Sequence, residues 1–291
     1  MYPARFEYAA PTTLEEVIAI LAERGDEAKV LAGGQSLIPL MKLRFLPPAM
    51  VVDLNRVPGL DYLEEAAGEL RIGALVRHAT CERSEKLRGR YRLLGDAAPL
   101  VSDPLVRNRG TVCGSLAHAD PQGDWGSVLL AARGSVVARG PHGERTIPAD
   151  ELLVGPFTTS LAPGEVIVEA RIPDPGPRAS GTYLKLERKV GDFATAAVAV
   201  QVTMANGTVG EVGIGLTGVG PTNVRAAAAE DVLRGSEPTD DAIEEAARLA
   251  AEAAEPQSDI RGTAEYKRNV IRVFTERGLR TAVAAAAAGE E

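Results

Sequence analysis

Lys29-Val30-Leu31-Ala32-Gly33-Gly34-Gln35-Ser36-Leu37 is the stretch that decides how this chain is read. A short apolar strand, Lys29 to Ala32, runs straight into two glycines. An apolar segment from Leu37 to Leu43 follows and reads as helical. Glycines directly after a strand let backbone approach a ligand closely. Successive N–H groups in such a turn form an anion nest, and a helix starting there adds its dipole. Ser36 adds a hydroxyl donor. A pyrophosphate suits this chemistry. The stretch lacks the G-x-G-x-x-G spacing of a nicotinamide site, and no Gly-Lys-Ser/Thr follows as in a P-loop. Taken alone, a Gly-Gly turn is more often an ordinary tight turn.

Outward from it, Thr13 is placed to cap a helix, with Glu15 and Glu16 at the positive end of its dipole. Val17, Ile18 and Leu21 form the buried face, and Gly25 ends it. Ala49 to Leu54 predicts a buried strand, and Leu70 to Ala74 a half-buried one. Thr80 to Leu87, Tyr91 to Ala98 and Ser127 to Ala132 read as helices; Ser135 to Ala138 and Val166 to Ile172 read as strands. Pro173-Asp174-Pro175-Gly176-Pro177 is the strongest linker signal. Beyond it the pattern changes. Thr182 to Arg188, Ala194 to Met204 and Val209 to Thr217 predict three consecutive strands, with Asn206-Gly207 as a hairpin turn. Helices over Val224–Leu233, Thr239–Ala254 and Thr263–Arg277 follow, which suggests a separate α+β domain. Ala282 to Ala288 reads as a frayed helical tail.

Two more segments carry candidate chemistry. Arg107-Asn108-Arg109-Gly110-Thr111-Val112-Cys113-Gly114-Ser115-Leu116-Ala117-His118-Ala119-Asp120-Pro121 is again rich in glycines and hydroxyls. Thr111, Gly114 and Ser115 suit phosphate oxygens, and Asp124 suits a ribose hydroxyl or an adenine amine. Two such turns in one chain can grip one diphosphate from two sides. In Tyr183-Leu184-Lys185-Leu186-Glu187-Arg188-Lys189-Val190-Gly191-Asp192-Phe193-Ala194, alternation puts Tyr183, Lys185 and Glu187 on one strand face. His118 and Asp120 near Ser115 are no sign of a triad, which geometry defines.

Composition narrows the function classes. The net charge of −8 leaves no basic stripe for nucleic acid. Two cysteines, Cys81 and Cys113, are too few for a four-cysteine iron–sulfur or zinc site. The three histidines have no ligand spacing, so no metal is expected. No secretory signal and no membrane-spanning run is visible.

Together the segments are far more specific than any one. Ala32 through Arg44, Arg107 through Pro121, Lys185 with Gly191 to Ala194, and Ser258-Asp259-Ile260-Arg261-Gly262-Thr263-Ala264-Glu265-Tyr266-Lys267 resemble, in order, four signatures of the xanthine dehydrogenase/carbon monoxide dehydrogenase family. The match is to its separate medium, flavoprotein subunit. The resemblance implies a two-lobed FAD-binding domain of the PCMH (vanillyl-alcohol-oxidase-like) type over residues 1–176, with sub-lobes of about 1–57 and 58–176. A C-terminal domain over 177–285, a three-stranded antiparallel sheet with a helical bundle, and a tail over 286–291 would complete it.

It implies FAD as the cofactor, its diphosphate held by Ala32, Gly33, Gly34, Gln35 and Ser36 and by Thr111, Val112, Cys113, Gly114 and Ser115. Lys29, Val30, Leu31 and Leu37 flank the first turn. Asp124 matches an acidic position at the adenosine, Ile167 a strand passing the cofactor, Lys185 a lysine beside the flavin, and Phe193 an aromatic near the ring. The implied partners are a molybdenum-cofactor large subunit and a [2Fe-2S] small subunit, in a dimer of heterotrimers. Quinone, NAD or oxygen is the implied electron acceptor. The location implied is cytoplasmic, or the inner face of the membrane through partners. The alternative is a standalone FAD-dependent oxidoreductase of the same architecture. One departure stands out: Cys113 replaces a glycine, and carries strain if that backbone needs φ > 0.

Overall fold

Val17, Ile18 and Leu21 are buried along one face of the helix Leu14–Arg24, as their spacing predicts. Fully burying such a side chain is worth about 1.5–3 kcal/mol over leaving it exposed. Thr13 caps the helix by accepting from the Glu16 N–H at 3.2 Å, and the chain leaves it at Gly25. The protein is described here from a computed structural model covering residues 2–288. The helix covers a three-stranded parallel sheet in which Met50–Asp53 lies between Glu7–Ala9 and Ala28–Leu31. Leu37–Leu43 is the helix after the glycine turn.

A second, five-stranded antiparallel sheet follows. Its order is Leu63–Ala66, Glu69–Gly73, Val166–Pro173, Ser135–Gly140, Gly143–Pro148. Short helices on it include Val112–His118 and Asp124–Ala131. The predicted helix over Thr80–Leu87 is two: His78–Arg83 and Glu85–Arg88. Ser84 is extended between them and caps the second by accepting from the Leu87 N–H.

Beyond the proline-rich linker stand three long antiparallel strands, Ala179–Leu186, Ala196–Ala205 and Thr208–Thr217. A two-residue fourth strand, Val224–Arg225, pairs with the last of them, so the helix expected from Val224 begins only at Ala227. Helices Asp240–Ala253 and Ala264–Ala287 pack over this sheet and form its core with it. The final helix is not frayed over its alanines. Ala282 and Ala286 are buried against the sheet's core, because alanine is small enough to seat a helix closely there.

The two domains share a tight seam. A Cβ at Gly213 or Gly215 would lie 1.9 Å from the Ala131 carbonyl oxygen or 2.1 Å from that of Ser127. The helix Asp124–Ala131 therefore rests directly on the backbone of the strand Thr208–Thr217. Beside it, fully buried Glu230 accepts from Arg133 at 2.6 Å, Arg225 at 2.8 Å and the Ile214 N–H at 2.9 Å. Arg133 also donates to the Val212 carbonyl, which ties the first domain to the second. Among the described residues no helix is long and apolar enough to cross a membrane.

Candidate functional site

Both small-residue turns open side by side onto one cleft of about 970 Å³. They touch. A Cβ on Gly33 would lie 2.2 Å from the Arg109 carbonyl oxygen and 2.7 Å from the Gly110 Cα, so only glycine fits. A chain of hydrogen bonds holds them in register. Asn55 Nδ2 donates to the Ala32 carbonyl at 2.8 Å, and Arg77 donates to Asn55 Oδ1 at 2.5 Å and to the Arg109 carbonyl at 2.6 Å. Asn55 and Arg77 did not stand out in the sequence, where each is an ordinary polar residue. His78 was missed too. Its backbone N–H donates to the Gly110 carbonyl at 3.0 Å.

The first turn has the character of an anion nest. Among the described residues, the N–H groups of Gly33, Gly34, Gln35 and Ser36 donate to no carbonyl or side chain. Ser36 makes no capping bond, and Lys29, half-buried at the same edge, pairs with no acidic group among the described residues. The second turn differs from a plain loop: Thr111 caps the helix Val112–His118, its Oγ1 accepting from the Gly114 N–H at 3.1 Å. That uses the Gly114 amide, while Thr111 and Ser115, which line the cleft, each carry a hydroxyl able to donate. These donors, with one free ammonium, match the chemistry of a diphosphate.

Lys29, Val30, Ala32, Gly33, Gly34, Gln35, Ser36, Leu37, Thr111, Cys113, Gly114, Ser115, Asp124, Ile167, Lys185 and Phe193 all line the cleft. Leu31 and Val112 do not. The Leu31 side chain lies behind Gly34, and Val112, on the inner face of its helix, is buried in the core.

Cys113 corrects an expectation. It sits in the first turn of a helix, not at positive φ, so no strain falls on it. Its thiol is buried and donates to the Ile72 carbonyl at 3.5 Å, facing the sheet and not the diphosphate nest. Burial pushes that thiol well above its ordinary range. Cys113→Gly should therefore give no gain in cofactor binding and cost about 1–2 kcal/mol of stability, from a flexible residue inside a helix and a lost buried side chain. Urea denaturation with a parallel flavin assay checks both.

Asp124 and Lys185, expected at the adenosine and beside the flavin, both line the cleft, and there they also bond to each other. Lys185 Nζ donates to Asp124 Oδ2 at 3.1 Å and to the Leu100 carbonyl at 2.8 Å. Tyr183 Oη donates to Asp124 Oδ1 at 2.7 Å. Each carboxylate oxygen of Asp124 thus accepts one hydrogen bond, and the pair sits in the cleft wall as a bond between the two domains. Burial pushes the Asp124 carboxyl up, opposed by the Lys185 ammonium and the Tyr183 hydroxyl.

His118 is half-buried in the same cleft, tilted against Phe157 at 5.2 Å with Asp120 at 3.9 Å, and burial lowers its pKa. His78 is buried, and its Nδ1 accepts from the Nε1–H of Trp125, the only tryptophan, at 3.0 Å. Burial, then Arg107 and Arg77, lower its pKa from 6.5 to about 4. Between those values the unfolded chain binds a proton that the folded chain does not. This contribution to stability is complete above pH 6.5 and shrinks as pH falls toward about 4, by up to about 3 kcal/mol. Thermal melts followed by Trp125 emission from pH 7.5 down to 4.5 should show the loss, and His78→Gln should flatten it.

Two lobes meeting a strand-and-helix domain around a diphosphate-shaped nest define an FAD-binding flavoprotein of the PCMH type. The comparisons with known proteins agree. Residues 4–175 match the FAD binding domain in molybdopterin dehydrogenase, and residues 181–282 the CO dehydrogenase flavoprotein C-terminal domain. The chain is similar to the carbon monoxide dehydrogenase medium chain of Hydrogenophaga pseudoflava, 40% identical over 97% of this chain and 98% of that one. It is 39% identical to the nicotine 6-hydroxylase medium subunit of Paenarthrobacter nicotinovorans, over 94% of this chain and 98% of that one. Among solved structures, carbon monoxide dehydrogenase from Hydrogenophaga pseudoflava superposes with a TM-score of 0.95 at 42% identity, covering 98% of this chain and 99% of that one. Quinoline 2-oxidoreductase from Pseudomonas putida 86 gives 0.91 at 32% identity, covering 98% and 99%. The chain belongs to the FAD-binding medium subunits of the xanthine dehydrogenase/carbon monoxide dehydrogenase family. It is a flavoprotein that binds FAD, and a subunit of an oxidoreductase.

Proposed function

We propose that this chain is the electron-transfer subunit of a molybdenum hydroxylase complex. It takes electrons from a [2Fe-2S] small subunit, which receives them from a molybdenum-cofactor large subunit, and passes them to quinone, NAD or oxygen. The assembly is a dimer of heterotrimers. The observation that carries this reading is the contact between the two turns through Gly33 and Arg109, which forms one nest for one diphosphate. In it, the Gly33 to Ser36 amides, the Thr111, Ser36 and Ser115 hydroxyls and the Lys29 ammonium hold the FAD diphosphate. Phe193 packs on the ring, and Ile167 lines the path between.

Bound there, FAD supplies an electron store that accepts electrons singly and delivers them in pairs. The chain's own work is to bind, orient and shield. Two facts support the absence of a substrate site. Two ionisable groups of the cleft wall, Asp124 and Lys185, are bonded to each other. Medium chains of nearly equal similarity, 40% and 39%, belong to complexes named for carbon monoxide and for nicotine. Substrate choice therefore lies in another subunit.

Purification from the native source, with an absorbance spectrum and metal analysis, tests the reading. Flavin together with iron–sulfur bands and molybdenum is the expected result. An intact complex persistently lacking FAD would sink the proposal, and substrate turnover by the isolated chain would replace it with a standalone oxidoreductase.

A further inference from the structure

The connection from Glu187 to Thr195 crosses the cleft, lining it with Gly191, Asp192 and Phe193. Its tip, Val190, is 91% exposed, so apolar packing does not hold it. Polar contacts do. Gly191, at φ +87°, backs onto Asp103, and its carbonyl accepts from Ser102 Oγ at 3.4 Å. Asp192 then collects three donors. Its Oδ2 accepts from Arg188 Nε at 3.0 Å; its Oδ1 accepts from the Phe193 N–H at 2.8 Å and from Arg261 Nη2 at 3.2 Å. Burial pushes the Asp192 carboxyl up, but these donors outweigh it and hold it down at about 2.

Arg261 is itself fixed from behind. It lies in the turn Asp259–Gly262, whose ends exchange backbone hydrogen bonds at 3.0 and 3.2 Å. Asp259 accepts from the Arg261 N–H at 2.8 Å and pairs with buried Lys267, on the last helix, at 2.9 Å. A continuous set of polar contacts thus runs from the helix Ala264–Ala287 through Asp259, Arg261 and Asp192 to the backbone of Phe193.

We infer that Arg261 is a positioning residue for the flavin: by holding Asp192 it fixes Phe193 against the ring-bearing end of the cofactor. This rests on the reading that Phe193 packs on the ring. The diphosphate nest lies on other elements and does not depend on it.

The test compares FAD with ADP, which carries the diphosphate and adenosine but no ring. Wild type, Arg261→Ala, Arg261→Lys, Asp192→Asn and the Asp192→Asn/Arg261→Ala double variant are assayed as the full-length protein in the complex it purifies in. Loss of a well-placed aromatic contact weakens binding by up to about tenfold. Arg261→Ala should therefore weaken FAD about tenfold and leave ADP unchanged. Asp192→Asn, which keeps the side-chain volume, should do the same in part; the double variant should add little, and Arg261→Lys should recover part of the loss. Wild-type FAD affinity in Arg261→Ala, a parallel fall in ADP affinity, or additive effects in the double variant would each overturn the inference. If wild type binds ADP as tightly as FAD, the placement of Phe193 on the ring is wrong, whatever Arg261 does.

Discussion

Gly33→Ala should lower the affinity for FAD about 100-fold while leaving the fold intact, a change that corresponds to about 2.7 kcal/mol. The added methyl would lie 2.2 Å from the Arg109 carbonyl oxygen, 2.7 Å from the Gly110 Cα and 2.8 Å from the Arg109 carbonyl carbon. All three are backbone atoms, so no side chain can swing aside. The turns must separate, and separation breaks the Asn55–Arg77 brace that links the Ala32 and Arg109 carbonyls. Overpacking of this kind costs about 1–3 kcal/mol when the neighbours are rigid. Here the cost falls on the cofactor site, because the four free amides of Gly33 to Ser36 and the second turn must converge on one diphosphate. Equilibrium dialysis with FAD, beside far-ultraviolet circular dichroism, is the check. A Gly33→Ala protein that retains stoichiometric FAD would show that the two turns do not act as one site. Ala32→Gly, next to it, provides a control that adds flexibility without a clash.

The two turns were legible because a close approach of two backbones leaves no choice of residue. Glycine at Gly33, and small hydroxyl residues at Ser36, Thr111 and Ser115, are written by the chemistry of the site. The long strands and the helices with a periodic buried face were legible for the same reason: burial fixes their apolar spacing. What stayed hidden depends on contacts distant in sequence. Asn55 and Arg77 become a brace only when Arg77 reaches a carbonyl 32 positions away. Asp124 and Lys185 were both found, yet spacing could not show that they face each other across 61 positions. The helix Val112–His118 lay hidden in a glycine- and polar-rich run, since its propensity is low and its packing on the sheet stabilises it. The pairing of Val224–Arg225 as a strand edge was likewise a tertiary decision, made by the free edge of Thr208–Thr217.

Lys185→Ala should destabilise the protein by about 3–5 kcal/mol, the usual cost of stranding one member of a buried ion pair. The two side chains are 1% and 7% exposed, so water does little to compensate. Lys185 Nζ lies 3.1 Å from Asp124 Oδ2, 2.8 Å from the Leu100 carbonyl and 3.7 Å from Glu187 Oε2. Without it, Asp124 keeps only the Tyr183 hydroxyl, and burial acts on the carboxyl with its main opponent gone. The folded variant then holds a proton on Asp124 at pH values where the unfolded chain, with a pKa near 3.8, has lost it. The folded state binds more protons, so stability must fall as pH rises toward the raised folded value. Urea denaturation at pH 5 and pH 8 should therefore find the variant weaker at the higher pH. Adding Asp124→Asn removes the stranded charge and should recover a large part of the loss at pH 8. A single variant within about 1 kcal/mol of wild type, the worth of a solvent-exposed pair, would mean that the pair is solvated and does not join the domains. Because Asp124 stands on the first domain and Lys185 on the second, the destabilised variant should also release FAD faster. The same bond that stabilises the fold holds together the two walls of the cleft.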